Sequence, residues 1–316
     1  MKHLLIIVCI LITLPLTAQW NWQNVDSLYQ PLPSSVHVYR SNTETEGKPN
    51  IAYYVSVELK DKTLDLTSQV GYGKRLTPSQ YFEQEGHPLL VMNCTFFEFV
   101  HNSNLNVVIK DGQLLSYQVH SNAGRAKDTL TYRHPFGSAI GITKSRKADV
   151  AWLYTDSSDK YAYASQEVIA ASKDSVAQHT KKEMLSYGHF KKWKVQTAVG
   201  GGPVVLQNGE ISIANNEELK FGGKAINDKH PRTAMGYTAD GKLILMVIEG
   251  RFPGKAEGAT LTQEAQMLKQ LGCVEGLNLD GGGSSSLLIN GKPTITPTDK
   301  EGQRPVPAVF IVKRNS

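Results

Sequence analysis

The chain has 316 residues, 40% of them hydrophobic and 20% charged, with a formal net charge of +5. That length exceeds a modal domain and can bury a large core without covalent staples, and three cysteines do not make a disulfide framework. The basic runs Lys181-Lys182 and Lys191-Lys192-Trp193-Lys194 are too sparse for a nucleic-acid surface and read as solvated faces.

Leu4 to Leu14 form an almost unbroken apolar run behind Lys2 and His3, followed by small residues at Thr17 and Ala18. This is the layout of a secretory signal, too short to span a bilayer, and it predicts export to the periplasm or beyond with residues 1–18 removed. No second long apolar run follows, so no membrane span is expected in the exported chain. Cys9 lies in the signal. For Cys94 and Cys273, one bridge or two separate buried thiols both fit. Residues 19–50 read as a polar lead-in, and residues 51–316 as one domain without linker or repeat.

Ile51 to Leu59 alternates as a strand, and Thr63 to Val70 is expected to pair with it. Thr77 to Gln84 reads as a short helix, with Thr77 as cap and Pro78 in first position. Pro88 to Asn93 is a buried strand ending on a polar residue. Val107 to Lys110 and Gln113 to Tyr117 flank the turn signal Asp111-Gly112. Ser138 to Ile142 and Ala148 to Tyr154 are further strands, and Gln178 to Tyr187 a helix closed by Gly188. Thr197 to Val199 leads into Gly200-Gly201-Gly202-Pro203. Asn208-Gly209, Asp240-Gly241 and Asn290-Gly291 each join two short strands. Thr260 to Leu271 is the clearest helix, with Thr260 and Gln263 as a capping box and Gly272 as the stop. Cys273 to Asp280 and Ala308 to Val312 complete the strands. Many short strands, Asx-Gly turns and two or three helices predict an α+β fold with large mixed or antiparallel sheets. Regular βαβ alternation is missing, which argues against a Rossmann fold, and no Gly-Lys-Ser/Thr marks a P-loop.

Four polar clusters end or interrupt apolar strands: Asn93 to Phe97, Gly200 to Pro203, Arg232 with Glu249-Gly250-Arg251, and Asp280 to Ser286. The last delivers a carboxylate onto Gly281, Gly282 and Gly283, then Ser284 and Ser285. Such a run can cradle an anion with backbone N–H groups, or it can be a simple hairpin turn. Glu249 closes an apolar run, where burial suits a carboxylate to proton transfer; the alternative is an ion pair with Arg251 or Arg232. Arg251 would share the face of Glu249 if the strand continued. Either arginine matches phosphate oxygens. His230 is a weaker acid–base candidate. No HExxH, CxxC or EF-hand pattern appears, so no metal or cofactor is expected, and no GxSxG elbow points to a serine hydrolase.

In order and spacing these segments resemble the phosphodiester glycosidase family. The match runs from about Ile51 to Val312 through Val91 to Phe97, Val199 to Pro203, Pro231 to Gly236, Glu249-Gly250-Arg251, Leu277 to Ser285 and Gly302 to Pro307. The resemblance implies hydrolysis of the anomeric C–O bond of a sugar-1-phosphodiester, a phosphorylated carbohydrate. For that reaction Glu249 and Asp280 are the two candidate carboxylates, and Arg232 with the Gly281 to Ser285 loop is expected to hold the phosphate. Asn93, Gly201, Gly202 and Arg251 are expected to bind substrate. Cys94-Thr95 stands where the family prefers two glycines, which implies a narrower or differently shaped pocket. Cleavage at phosphorus and a non-catalytic glycan-binding module are the alternatives.

Overall fold

The computed structural model describes residues 19–123, 131–170, 180–186 and 188–315. The expected signal at 1–18 lies outside them, as do Gln178, His179 and Tyr187 of the expected second helix, which is observed as Lys181–Ser186. Three sheets dominate. The largest has eight strands in the order Gln23–Asn24, Val36–Ser41, Ile51–Glu58, Lys242–Glu249, Arg232–Thr238, Cys273–Asn278, Val204–Gln207 and Glu210–Ile211. A seven-stranded sheet centres on Ala148–Tyr154, Gly137–Ile142 and Thr197–Gly200, and a five-stranded sheet on Leu90–Asn93 and Ala308–Arg314. Every strand pairing among the described residues is antiparallel, so the expected sheets are realised in their antiparallel form.

The strand period of two sorts the core. In Lys242–Glu249, Leu243, Leu245 and Val247 enter the central core shared by the three sheets. Ile244, Met246 and Ile248 face the other way, against Leu261, Ala265 and Leu268 of the helix Leu261–Gln270. That strand is covered on both faces, which is why its sequence reads as a continuous apolar run. Thr260 and Gln263 form the expected capping box; Thr77 caps the helix Pro78–Gln84 as expected and also forms a capping box with Gln80.

All four Asx-Gly turns join the strand pairs expected of them. At Asp111-Gly112, Asn208-Gly209 and Asn290-Gly291 both residues have positive φ, the two-residue geometry that follows strand twist.

One expected pairing is wrong. Ile51–Glu58 pairs with Val36–Ser41 and Lys242–Glu249, whereas Leu64–Val70 pairs with Ala308–Arg314 in a different sheet. Proximity in sequence suggested a hairpin, but both strands bury side chains on both faces and need long-range neighbours. Val36–Ser41, within the expected lead-in, is a strand of the large sheet.

Register decides where the chain gathers its polar ends. Asn93 pairs with Val309, Ala308 with Val70, and Leu287 with Met92. The loops after Val70 and Asn93, and those before Leu287 and Ala308, therefore share one end of the five-stranded sheet. In the large sheet, Arg232 lies opposite Ile248 and Ala234 opposite Asn278, bringing those strand ends together as well.

Candidate active site

Asp280 stands just past the strand Cys273–Asn278, clamped from both sheets. Leu279 N donates to Thr233 O, Asp280 N to Cys94 O at 2.8 Å, and the Asn93 side-chain amide to Asp280 O at 2.6 Å. Gly282 N then donates to Pro231 O, and Gly282–Ser284 form a short 3-10 turn. Asp280 and the three glycines line a cleft of about 340 Å³, together with Phe96, Phe221, His230, Arg232, Arg251 and Arg304.

Burial of the Asp280 carboxyl pushes its pKa up to about 6, with Ser284, Arg304 and Lys220 pulling the other way. Ser284 Oγ faces the carboxylate without a hydrogen bond of normal geometry. Lys220 donates from Nζ to Gly201 O at 2.8 Å and lies 3.7 Å over the ring of Phe96. Its pKa is lowered by burial, against the attraction of Glu218 and Asp280. Glu218 is buried behind it and accepts from Ser138 Oγ, Trp152 Nε1 and Val204 N at 2.8 to 3.0 Å. Burial pushes its pKa up. Burial and the neighbouring Arg232 and Arg251 lower the His230 pKa. The glycine loop clears space for two guanidinium groups. A Cβ on Gly283 would lie 2.3 Å from Arg304 Nη2, and one on Gly282 would lie 3.0 Å from Arg251 Nη2. The cleft thus joins the Asp280 carboxylate to several cations, of which Arg304 also pairs with Asp299 at 2.7 Å.

A model of the phosphodiester glycosidase family matches residues 86–313. The chain belongs to this family. The N-acetylglucosamine-1-phosphodiester alpha-N-acetylglucosaminidase of Mus musculus is 31% identical over 103 residues, 30% of this chain and 20% of that protein. A prophage-derived uncharacterized protein of Bacillus subtilis is 37% identical over 67 residues, 21% of this chain and 10% of that one. The matches therefore span about a fifth or less of these relatives. The solved catalytic domain of the zebrafish N-acetylglucosamine-1-phosphodiester alpha-N-acetylglucosaminidase, auto-inhibited by its pro-peptide, superposes with a TM-score of 0.60 at 18% identity, covering 94% of this chain and 88% of that one. A hypothetical protein from Synechocystis gives 0.61 at 16% identity, covering 92% and 63%. At such identities the superpositions show a shared fold.

Within this phosphodiester glycosidase chain, Asp280, Gly281, Gly282, Gly283, Arg232 and Arg251 do meet at one cleft. Arg251 reaches it because the strand ends at Glu249 and Arg251 turns away with φ +63°, not because the two share a face. Arg232 spends Nε on Ala259 O and Nη2 on Asp228 O, so much of its donor capacity is structural. Glu249 is absent from the cleft wall. Its Oε2 accepts from Thr296 N at 2.9 Å, and its Oε1 lies 3.1 Å from Lys255 Nζ without hydrogen-bond alignment. It is ion-paired, though with neither arginine considered from sequence.

Asn93 is fully buried and braces the backbone, accepting from Thr233 Oγ1 and Ser286 N, so it offers nothing to a sugar. Gly201 and Gly202 are buried, with N–H groups spent on Ser138 O and Asn278 O. Gly202 has φ +115°, and a Cβ there would sit 2.3 Å from Glu218 Oε2; packing, not ligand approach, requires glycine. Ser284 and Ser285 are buried with hydroxyls that lack a hydrogen-bond partner. Cys94 and Thr95 are buried off the cleft wall, so they do not shape it directly. Cys94 and Cys273 are separate free thiols, both raised to about 12 by burial.

Sequence reasoning missed Lys220 and Glu218, which lie in an irregular segment without a motif. It also passed over Phe96 and Arg304 as site residues, although both fall inside segments that carried the family resemblance. Among the described residues no three His, Cys, Asp or Glu side chains gather as metal ligands. A larger depression of about 420 Å³ at Gln166, Glu167, His189 and Lys191 lacks a buried carboxylate facing cations, and chemistry is better served at Asp280.

Proposed function

We propose that the chain hydrolyses the anomeric C–O bond of a sugar-1-phosphodiester, releasing free sugar and a phosphomonoester. The observation that carries this reading is the Asp280 carboxylate, lining the cleft and near Arg304 and Lys220, with Arg251 on the same wall. Glycosidic cleavage passes through an oxocarbenium-like state that a carboxylate serves as base or nucleophile. In either role Asp280 works ionised. The leaving group is a phosphate ester, which departs with far less proton assistance than a sugar alkoxide, so the cleft needs one carboxylate and ample positive charge. Arg304 and Arg251 take the phosphate as charge builds on the bridging oxygen. Lys220 holds the Asp280 carboxylate ionised and in place, with Glu218 balancing the lysine from behind. Glu249 has no part in bond cleavage. The N-terminal run from Leu4 to Leu14 supports export, which puts the substrate among envelope or extracellular glycans.

The test incubates the purified protein with an α-N-acetylglucosamine-1-phosphodiester and identifies products by phosphorus and proton NMR. Free sugar with a phosphomonoester is expected. Sugar-1-phosphate would mean cleavage at phosphorus and would overturn the proposal.

A further inference from the structure

Val100 and Tyr72, at 80% and 75% exposure, are the two most exposed large apolar side chains among the described residues, and Phe99 in the same region is 59% exposed. They occupy two loops, after Val70 and after Asn93, that strand register places at one end of the five-stranded sheet. The loops are tied together. Asn102 donates to Gly73 O, and the Arg75 guanidinium lies 5.1 Å from the Phe99 ring and 5.5 Å from that of Phe97. Arg304, on the cleft wall, lies 5.8 Å from the Phe99 ring. The Phe99 loop therefore lies beside the cleft wall at Arg304, with the Tyr72 loop tied to it.

Tyr72 is held at the tip of a tight turn with φ +49°, followed by Gly73 at +81°. An aromatic residue is uncommon in that backbone region, and here its side chain gains no packing. Lys74 is exposed beside it, and Arg75 adds a second cation. Glu98 is turned into its own loop, accepting from Val100 N and His101 N and pairing with His101 Nδ1.

We propose that these two loops seat the cleft mouth on an anionic lipid bilayer. Aromatic and aliphatic side chains at loop tips insert at the boundary between headgroups and acyl chains, and neighbouring Lys and Arg are drawn to anionic headgroups. A glycan is the poorer fit at Phe97 and Phe99, because sugars stack on open aromatic faces and guanidinium groups lie over both rings, and the aliphatic Val100 offers no ring at all. Two loop tips are also small beside a stable protein interface. This surface stands independently of the reaction proposed for the cleft.

The test is co-sedimentation of residues 19–316, which hold every described element, so the apolar run at 4–14 makes no contribution. Vesicles of phosphatidylglycerol with phosphatidylethanolamine are compared with vesicles of phosphatidylcholine alone. Expected results are binding to the anionic vesicles, weakened by salt, and about a tenfold loss in Tyr72→Asn/Val100→Ser. The melting temperature and the turnover of a soluble short-chain diester should stay unchanged in that variant. A parent protein that stays in the supernatant with anionic vesicles would overturn the proposal, as would a double variant that binds like the parent. Loss of soluble-glycan binding in the variant, without vesicle binding by the parent, would assign the surface to glycan and also overturn it. A protein inactive on every diester that still binds vesicles would sink the catalytic reading and leave this one standing.

Discussion

The Asn93 side-chain amide donates to the main-chain carbonyl of Asp280 at 2.6 Å, across 187 residues of sequence. It is a strut between the five-stranded and eight-stranded sheets, and the candidate catalytic carboxylate is mounted on it. Asn93→Ala leaves the Thr233 hydroxyl, the Ser286 N–H and the Asp280 carbonyl without this partner. A stability loss of about 2–4 kcal/mol is expected by urea unfolding, together with lost turnover.

Asp280→Asn should lower kcat at least about a thousandfold with the fold intact by circular dichroism. Glu249→Gln should stay within about tenfold of the parent, because Glu249 is paired with Lys255 off the cleft wall. Equal losses in the two variants would restore Glu249 to the mechanism.

The pH–rate profile should rise through about 6, as the Asp280 carboxyl ionises. Lys220 lowers that pKa by its charge, so Lys220→Met should move the rising limb to higher pH. A limb that stays in place would separate Lys220 from Asp280.

Arg304→Gln should reduce kcat/KM roughly 10- to 100-fold by weakening the hold on phosphate. Gly283→Ala offers an independent route to the same effect, since its methyl group would occupy the position of Arg304 Nη2. The guanidinium is a flexible tip and can move aside, so activity should fall while the melting temperature holds.

Glu264 is fully buried in the helix Leu261–Gln270, neither of its oxygens has a hydrogen-bond partner, and its pKa is pushed up to about 8 by burial. Folding favours its neutral form. The stability that form contributes is complete below about 4.5 and is lost progressively as pH rises to about 8. Glu264→Gln should match the parent at acid pH and exceed it at pH 7 by up to about 3 kcal/mol in denaturant unfolding. A constant difference across pH would contradict this assignment.

The sequence by itself determined the elements whose signals are local. Thr260 announced its helix through a capping box and Thr77 through a cap followed by Pro78, signals that close within four residues. The Asx-Gly turns announced their hairpins because positive φ is a property of two adjacent residues. Asp280 and its glycines were legible for the same reason, as polar residues ending an apolar strand. Tertiary structure alone decided which strands pair and which polar residues face the cleft. Ile51–Glu58 and Leu64–Val70 are neighbours in sequence but lie in different sheets, because hydrogen-bond partners are chosen by register over long separations. Asn93, Gly202 and Glu249 looked like binding or catalytic residues because composition carries no direction. Their side chains or backbone groups are spent inside the protein. Lys220 and Glu218 gave no local signal. Their charges matter only because folding carries an irregular segment behind Gly201 and Gly202, which makes the lysine a neighbour of Asp280 and the glutamate a neighbour of the lysine.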